Sequence, residues 1–123
     1  MIQVICPVCG AALAPQGAAW RCVQGHCFDV ARQGYVNLLT VTQKHSRHPG
    51  DTREMVAARR AFLDAGWYAP IAKTLADLVR RFCPEAASVL DAGCGEGYYL
   101  SQLGWVPERW GIDISRDAVR YAA

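Results

Sequence analysis

Ala87-Ser-Val-Leu-Asp91-Ala-Gly93-Cys-Gly95-Glu96-Gly97-Tyr-Tyr-Leu100 is the stretch from which the fold is read. Ser88-Val-Leu90 has the character of a buried strand, three glycines follow at once, and Tyr99-Leu-Ser-Gln-Leu103 begins a helix. A strand, a glycine turn and a helix start form the nucleotide-cradling unit of doubly wound α/β folds. Glycine is required because a Cβ would keep a ligand away from the backbone. The dinucleotide fingerprint fails, since its third glycine would fall at Tyr98, and the P-loop fails because no Gly-Lys-Ser/Thr follows. What stands instead is Asp91-x-Gly93-x-Gly95-x-Gly97, with an acid two residues ahead of the first glycine. That acid suits a ligand whose nearest end is positively charged rather than a phosphate. Twenty residues past Gly93, Trp110-Gly-Ile-Asp113-Ile-Ser115 reads as a second short strand ending in a carboxylate, where a ribose diol would be held.

Two helices precede this unit. Asp51-Thr-Arg-Glu54 has the form of an N-cap with its reciprocal glutamate. Met55, Ala58, Phe62 and Leu63 then recur at helical spacing, and Gly66 is the expected stop. The second helix starts near Pro70, which suits a first turn. Ile71, Leu75, Leu78, Val79 and Phe82 mark one apolar face, expected to be buried, with Arg80 and Arg81 away from it. Cys83, before Pro84, is read as a core thiol, and Trp67, Trp105 and Trp110 as core or boundary residues.

The other end of the chain carries different chemistry. Four of its six cysteines crowd the first 27 residues beside His26, a clustering that favours metal over disulfide. Cys6-Pro-Val-Cys9 sets two thiolates on one tight turn, and Gly10 follows it. Cys22-Val-Gln-Gly-His26-Cys27 supplies the rest, by Cys-x3-His or by Cys-x4-Cys. Either choice completes a four-ligand zinc site, which would be closed and hence structural. Ala18-Ala-Trp-Arg21, Phe28-Asp-Val30 and Tyr35-Val-Asn-Leu-Leu39 read as short strands of a zinc ribbon over residues 1–40. Thr42 to Gly50 has no hydrophobic period and is a loop or linker; its Lys44, His45, Arg47 and His48 could meet phosphate.

A chain of 123 residues holds about one domain, so two domain signatures mean that at least one is small or incomplete. A hydrophobic fraction of 52% excludes intrinsic disorder, and a net charge of +2 makes no case by itself for nucleic acid. No apolar run is long enough to span a membrane, and the N-terminus lacks the pattern of a signal peptide, so the expected location is the cytoplasm.

Val89-Leu-Asp-Ala-Gly-Cys-Gly-Glu-Gly97 resembles the first motif of class I S-adenosylmethionine-dependent methyltransferases, and Asp113 their acidic second motif. Joined to the ribbon, the chain resembles one family, the bacterial 23S rRNA (guanine-N1)-methyltransferases. The likeness runs through Cys6-Pro-x-Cys9, Cys22-x3-His26-x-Phe28-Asp29, Gly34-Tyr-Val-Asn-Leu-Leu39 and Pro49-Gly-Asp51. It continues through Met55-x2-Ala58-Arg-Arg-Ala-Phe-Leu-Asp-Ala-Gly66, Gly95-Glu-Gly-Tyr-Tyr99 and Asp113-x-Ser115.

The resemblance implies that Cys6, Cys9, Cys22 and His26 hold one zinc, with Cys27 a bystander. It implies that Asp91, Gly93, Gly95, Glu96 and Gly97 wrap the methionine and ribose of S-adenosyl-L-methionine, with Asp113 on the ribose hydroxyls. Tyr68 would touch the cofactor; packing between the two helices is its alternative role. The implied partner is a 23S rRNA hairpin, the implied target guanine N1, of the guanine 745 type, and the full-length protein would admit a homodimer. The implied architecture is α/β: a ribbon (1–40), a basic linker and helical connector (41–85), and the first two strands of a Rossmann-like methyltransferase domain (86–123). That last part is read as truncated, with unpaired strand edges that would leave it loose or aggregation-prone. No residue is assigned as catalytic base. Two other functions fit the same residues: a non-catalytic RNA-binding ribbon with a vestigial methyltransferase half, and a small-molecule methyltransferase.

Overall fold

The computed structural model describes residues 2–123, which divide into two units, residues 2–49 and 50–122. In the first unit β1 (Leu13–Gln16), β2 (Ala19–Cys22) and β3 (Cys27–Asp29) form an antiparallel sheet in the order β1-β2-β3. Gln16 pairs with Ala19 across a two-residue turn, where Gly17 takes a positive φ of 64°. The apolar interior is small: Cys6, Leu13 and Cys22 are buried, with Val4, Ala11, Trp20, Phe28 and Leu38 packed on them. Two of the three buried residues in that cluster are thiols of the metal motif.

The sequence pattern missed β1. Leu13-Ala-Pro-Gln has little strand propensity, yet it pairs as an edge strand, the place where Pro15 costs no ladder hydrogen bond. The expected strand at Tyr35–Leu39 shrinks to a single bridge between Val30 and Val36. Just beyond it the Asn37 side chain accepts from the Leu39 N–H at 3.0 Å, a local bond that competes with strand pairing. A short 3-10 turn, Val41–Gln43, opens the linker, and Lys44, His45, Arg47 and His48 are exposed.

The second unit begins with α1 (Arg53–Asp64) and α2 (Ala69–Phe82). The N-cap of α1 is Thr52, whose hydroxyl accepts from the Met55 N–H at 3.3 Å; the expected cap at Asp51 is displaced by one residue. Asp51 instead pairs with Arg59, one side-chain oxygen lying 2.6 Å from Nη1. The buried positions of α1 are Val56 and Leu63, whereas Met55, Ala58 and Phe62 are exposed. On α2 only Ala72 is buried; Ile71, Leu75, Leu78 and Phe82, expected inside, are 40% to 72% exposed. Cys83 is likewise exposed rather than a core thiol. Trp67 is 72% exposed, against the expected boundary position, while Trp105 and Trp110 are half-buried. Arg80 does not point away from all packing, since its guanidinium lies 5.1 Å from the Trp105 ring centre.

β4 (Ser88–Ala92) and β5 (Glu108–Ile112) pair in parallel with Leu90 opposite Trp110 and Asp91 opposite Gly111. A parallel pair needs a crossover, which the glycine turn and α3 (Tyr98–Ser101) supply. α3 is one turn long, shorter than the helix expected from Tyr99. α4 (Arg116–Ala122), unforeseen in the sequence pattern, closes the unit and packs on α1. Of the expected Rossmann-like sheet, these two strands are what the described residues contain.

Gly50 fixes the start of this unit against its far end. It has φ +77°, and a Cβ there would stand 2.8 Å from the Ser115 backbone nitrogen. Gly66, at the C-terminus of α1, also has positive φ (+88°) but open space around it. Gly66→Ala should therefore cost about 1 kcal/mol, from left-handed strain alone. Gly50→Ala should cost about 2–3 kcal/mol, because a backbone clash is added to the strain. Denaturant unfolding of the two variants checks the order, and equal losses would remove the close approach at Gly50.

Candidate metal centre and cofactor turn

Each metal knuckle is a turn locked by its own glycine. Gly10 (φ 72°) donates its N–H to the Cys6 carbonyl at 2.8 Å, and Gly25 (φ 88°) donates to the Cys22 carbonyl at 3.0 Å. The donor atoms of Cys6, Cys9, Cys22 and His26 all lie within 4.8 Å of one another. Cys9 Sγ is 3.7 Å from Cys22 Sγ, and His26 Nδ1 is 3.6 Å from Cys6 Sγ and 3.3 Å from Cys22 Sγ. A tetrahedral zinc with Zn–S of about 2.3 Å and Zn–N of about 2.0 Å requires edges of roughly 3.8 Å and 3.5 Å. Those three edges lie within a few tenths of an ångström of that requirement. Cys27 is exposed on β3 and does not join the group, so the histidine reading of the second knuckle is the one the geometry carries.

The turns also favour the thiolate that metal binding needs. Burial pushes the Cys6 thiol up, but hydrogen bonds from the Cys9 and Val8 backbone outweigh it and the net shift is downward. Cys22 behaves alike: burial raises it, and the His26 backbone and side chain carry it down. Cys9 moves the other way; the Ala11 backbone lowers it, but desolvation and the neighbouring thiols prevail.

In the second unit the glycine turn continues straight from β4. Gly93, Gly95 and Gly97 have φ of +85°, +56° and +84°, conformations that side chains rarely adopt. Gly93 and Cys94 both donate to the Ile112 carbonyl, at 2.7 and 3.0 Å, so the turn is tied to the end of β5. Asp113 completes the tie: one carboxylate oxygen accepts from Gly95 N–H at 3.0 Å and the other from Ser115 N–H at 2.7 Å. Both oxygens keep further lone pairs, so Asp113 is at once a structural clasp and a free acceptor. Asp91 is half-buried at the end of β4, opposite Gly111. Glu96 is half-buried with Oε2 fully buried and without a partner, an oxygen that asks for a donor from outside the described residues. Tyr68 stands apart: its ring meets Phe62 edge-on at 5.0 Å, and no hydrogen bond or ring contact joins it to the turn.

Two residues that stood only inside the quoted motifs, with no role assigned, also belong to this site. Ser115, 1% exposed, donates to the Asp51 carbonyl at 2.7 Å and caps α4 by accepting from Ala118 N–H. Arg59, held by Asp51, has Nη1 only 3.6 Å from where a Cβ on Gly95 would stand. The signal available for Arg59 was its spacing: three residues after Val56 and four before Leu63, on the packed side of α1.

Cys27→Ala should retain one zinc per chain by elemental analysis, and His26→Ala should lose most of it; the reverse result would reassign the fourth ligand. A second prediction concerns Cys94. Burial, then the charges of Asp113 and Asp91, push this thiol up to about 11 from 9.0. The folded chain therefore holds a proton that the unfolded chain releases, and stability should fall as pH rises from about 9 to about 11. The loss attributable to this group is about 2–3 kcal/mol. Denaturation at pH 8 and pH 11 checks it, since Cys94→Ala should show a correspondingly weaker decline.

Residues 4–47 match the family model described as "RlmA, N-terminal", a zinc-ribbon family. The chain is 45% identical to the 23S rRNA (guanine(748)-N(1))-methyltransferase of Streptomyces fradiae, in an alignment that covers 96% of this chain and 43% of that protein. Relatives from Micromonospora griseorubida (43% identity, 96% of this chain, 46% of the relative) and Bacillus subtilis (34%, 96% and 44%) bear a 23S rRNA (guanine-N1)-methyltransferase name given provisionally. The chain thus spans just under half the length of the curated relatives it matches. It carries the matching zinc ribbon at its N-terminal end and, along 96% of its length, is similar to just under half of each of these 23S rRNA (guanine-N1)-methyltransferase relatives.

Proposed function

We propose that this chain serves S-adenosylmethionine-dependent methylation of guanine N1 in a hairpin loop of 23S rRNA. The similarity to rRNA methyltransferases along nearly the whole chain carries the reading. The glycine turn supports it, because three left-handed glycines and an unpartnered Glu96 oxygen suit a ligand pressed onto the backbone with a cationic end. In this reading residues 1–40 are an RNA-binding ribbon, 41–85 a basic linker and helical connector, and 86–123 the start of the cofactor-binding domain. Cys6, Cys9, Cys22 and His26 hold one structural zinc.

When bound, the cofactor supplies a methyl group on a sulfonium, activated for attack by a ring nitrogen. The chain's own residues bind and orient. Asp91 and Glu96 face the cationic methionyl end, Gly93, Gly95 and Gly97 admit it to the backbone, and Asp113 accepts from the ribose hydroxyls. Tyr68 would have to turn from Phe62 to reach it. Lys44, His45, Arg47 and His48, all exposed, offer charge to RNA phosphates, which fix position rather than sequence. A loop guanine can be splayed out and read at its edges, and holding N1 in line with the methyl supplies much of the acceleration. The cytoplasm is where rRNA would be met, and no helix among the described residues is long and apolar enough to cross a membrane.

The nucleotide number is a finer matter: the sequence resemblance leaned to guanine 745, whereas the Streptomyces relative is named for guanine 748. Primer extension decides both points, because N1-methylguanine blocks Watson–Crick pairing. The chain, alone and completed with the C-terminal part of a relative, is incubated with methyl-labelled cofactor and unmodified 23S rRNA. The completed protein should give one stop at a hairpin-loop guanine. Cofactor binding without methylation of large-subunit rRNA would overturn the guanine reading and favour a small-molecule substrate; no cofactor binding by either form would favour a purely RNA-binding role.

A further inference from the structure

An arginine stands beside the glycine turn. Arg59 lies on the packed side of α1, between fully buried Val56 and buried Leu63, although its own side chain is 46% exposed. Its Nη1 sits 3.6 Å from the position of a Cβ on Gly95, the direction from which that glycine leaves its backbone open. Asp51 holds the same nitrogen at 2.6 Å, and the Asp51 backbone carbonyl is itself held by Ser115. An exposed ion pair of this kind contributes about 1 kcal/mol or less, so stability alone is a weak reason for a cation on the packed side of a helix.

The charges around the turn supply a better one. Asp91, Glu96 and Asp113 all raise the Cys94 thiol, which shows that their fields converge on the turn. That acidic surround suits the sulfonium, the ammonium and the ribose hydroxyls of the cofactor, but it repels the carboxylate at the methionyl end. A carboxylate needs a cation, preferably a planar one that can offer two parallel N–H bonds. Arg59 has five N–H donors, more than the one Asp51 oxygen paired with Nη1 can accept.

Building on the cofactor reading above, we propose that Arg59, oriented by Asp51, binds the carboxylate of the cofactor's methionyl end and so selects the intact amino acid. The second half of the claim is specificity. A nucleoside with the same sulfonium and ammonium but without the carboxylate would meet the acidic turn equally well and gain nothing from Arg59.

The test is calorimetric titration of the zinc-loaded chain with S-adenosylmethionine and with its decarboxylated form. The unsubstituted chain should prefer the intact cofactor by about tenfold or more, the scale of a charge-assisted hydrogen bond. Arg59→Gln should weaken the intact cofactor by that factor and leave the decarboxylated form within twofold, while Arg59→Lys keeps part of the preference. Equal affinity for the two compounds in the unsubstituted chain overturns the proposal, and that comparison stands even if Arg59→Gln fails to fold. A substitution that weakens both compounds alike also overturns it, assigning Arg59 a structural role. Binding of neither compound, by the unsubstituted chain or by the chain completed with the C-terminal part of a relative, overturns the cofactor reading itself, and this proposal with it.

Discussion

One carboxylate does for the second unit what the metal site does for the first. Asp113 takes Gly95 N–H on one oxygen and Ser115 N–H on the other, joining the glycine turn after β4 to the loop after β5. Ser115 then reaches back to the Asp51 carbonyl, where the unit begins, and Asp51 holds Arg59. Remove the carboxylate and two backbone donors lose their partners, at a cost of about 1–3 kcal/mol for each that stays buried. The ribbon has the same economy. Its apolar cluster has three buried residues, two of them thiols of the metal motif, so a cross-link through four donors around one ion would add what so small a cluster lacks.

The apolar surface left outside those two clusters is equally informative. Ile71, Leu75, Leu78 and Phe82 lie exposed along α2, and Leu90, Ile112 and Ile114 are exposed on or beside the two-stranded sheet. The helical period of α2 is sound and the helix forms where it says. What the period cannot contain is whether another element covers the face. The same gap explains Cys83 and Trp67, whose apolar character was read as burial. The chain spans less than half the length of its relatives, so apolar faces among its described residues need not find their cover within it.

Much of the candidate site was legible. The Cys-x2-Cys and Cys-x3-His spacings point to a cluster because a knuckle is a local structure, closed by hydrogen bonds within a few residues. The glycine turn is legible for the same reason, since its three positive φ angles are a demand on residue type at each position. Strand β1 was not legible: Leu13-Ala-Pro-Gln owes its conformation to its partner β2 rather than to its own propensity. The N-cap was legible only to within one residue, because Asp51 and Thr52 are both good caps and the choice fell to Arg59, eight positions away on the helix, which engages Asp51.

Residue spacing was enough for two local chemistries: metal donors on two turns, with the fourth open between His26 and Cys27, and an acid-flanked glycine turn after a strand. Each is set by residues within about one turn of chain, whose backbone requirements side-chain identity can state directly. Only the tertiary structure brings His26 rather than Cys27 beside the other three donors, with Cys27 exposed on β3. It alone set Arg59 against Gly95, and it alone joined Ser115 to Asp51, 64 residues apart in the chain. Those contacts arise from how helices and strands pack, and packing direction depends on partners that no short stretch of sequence contains.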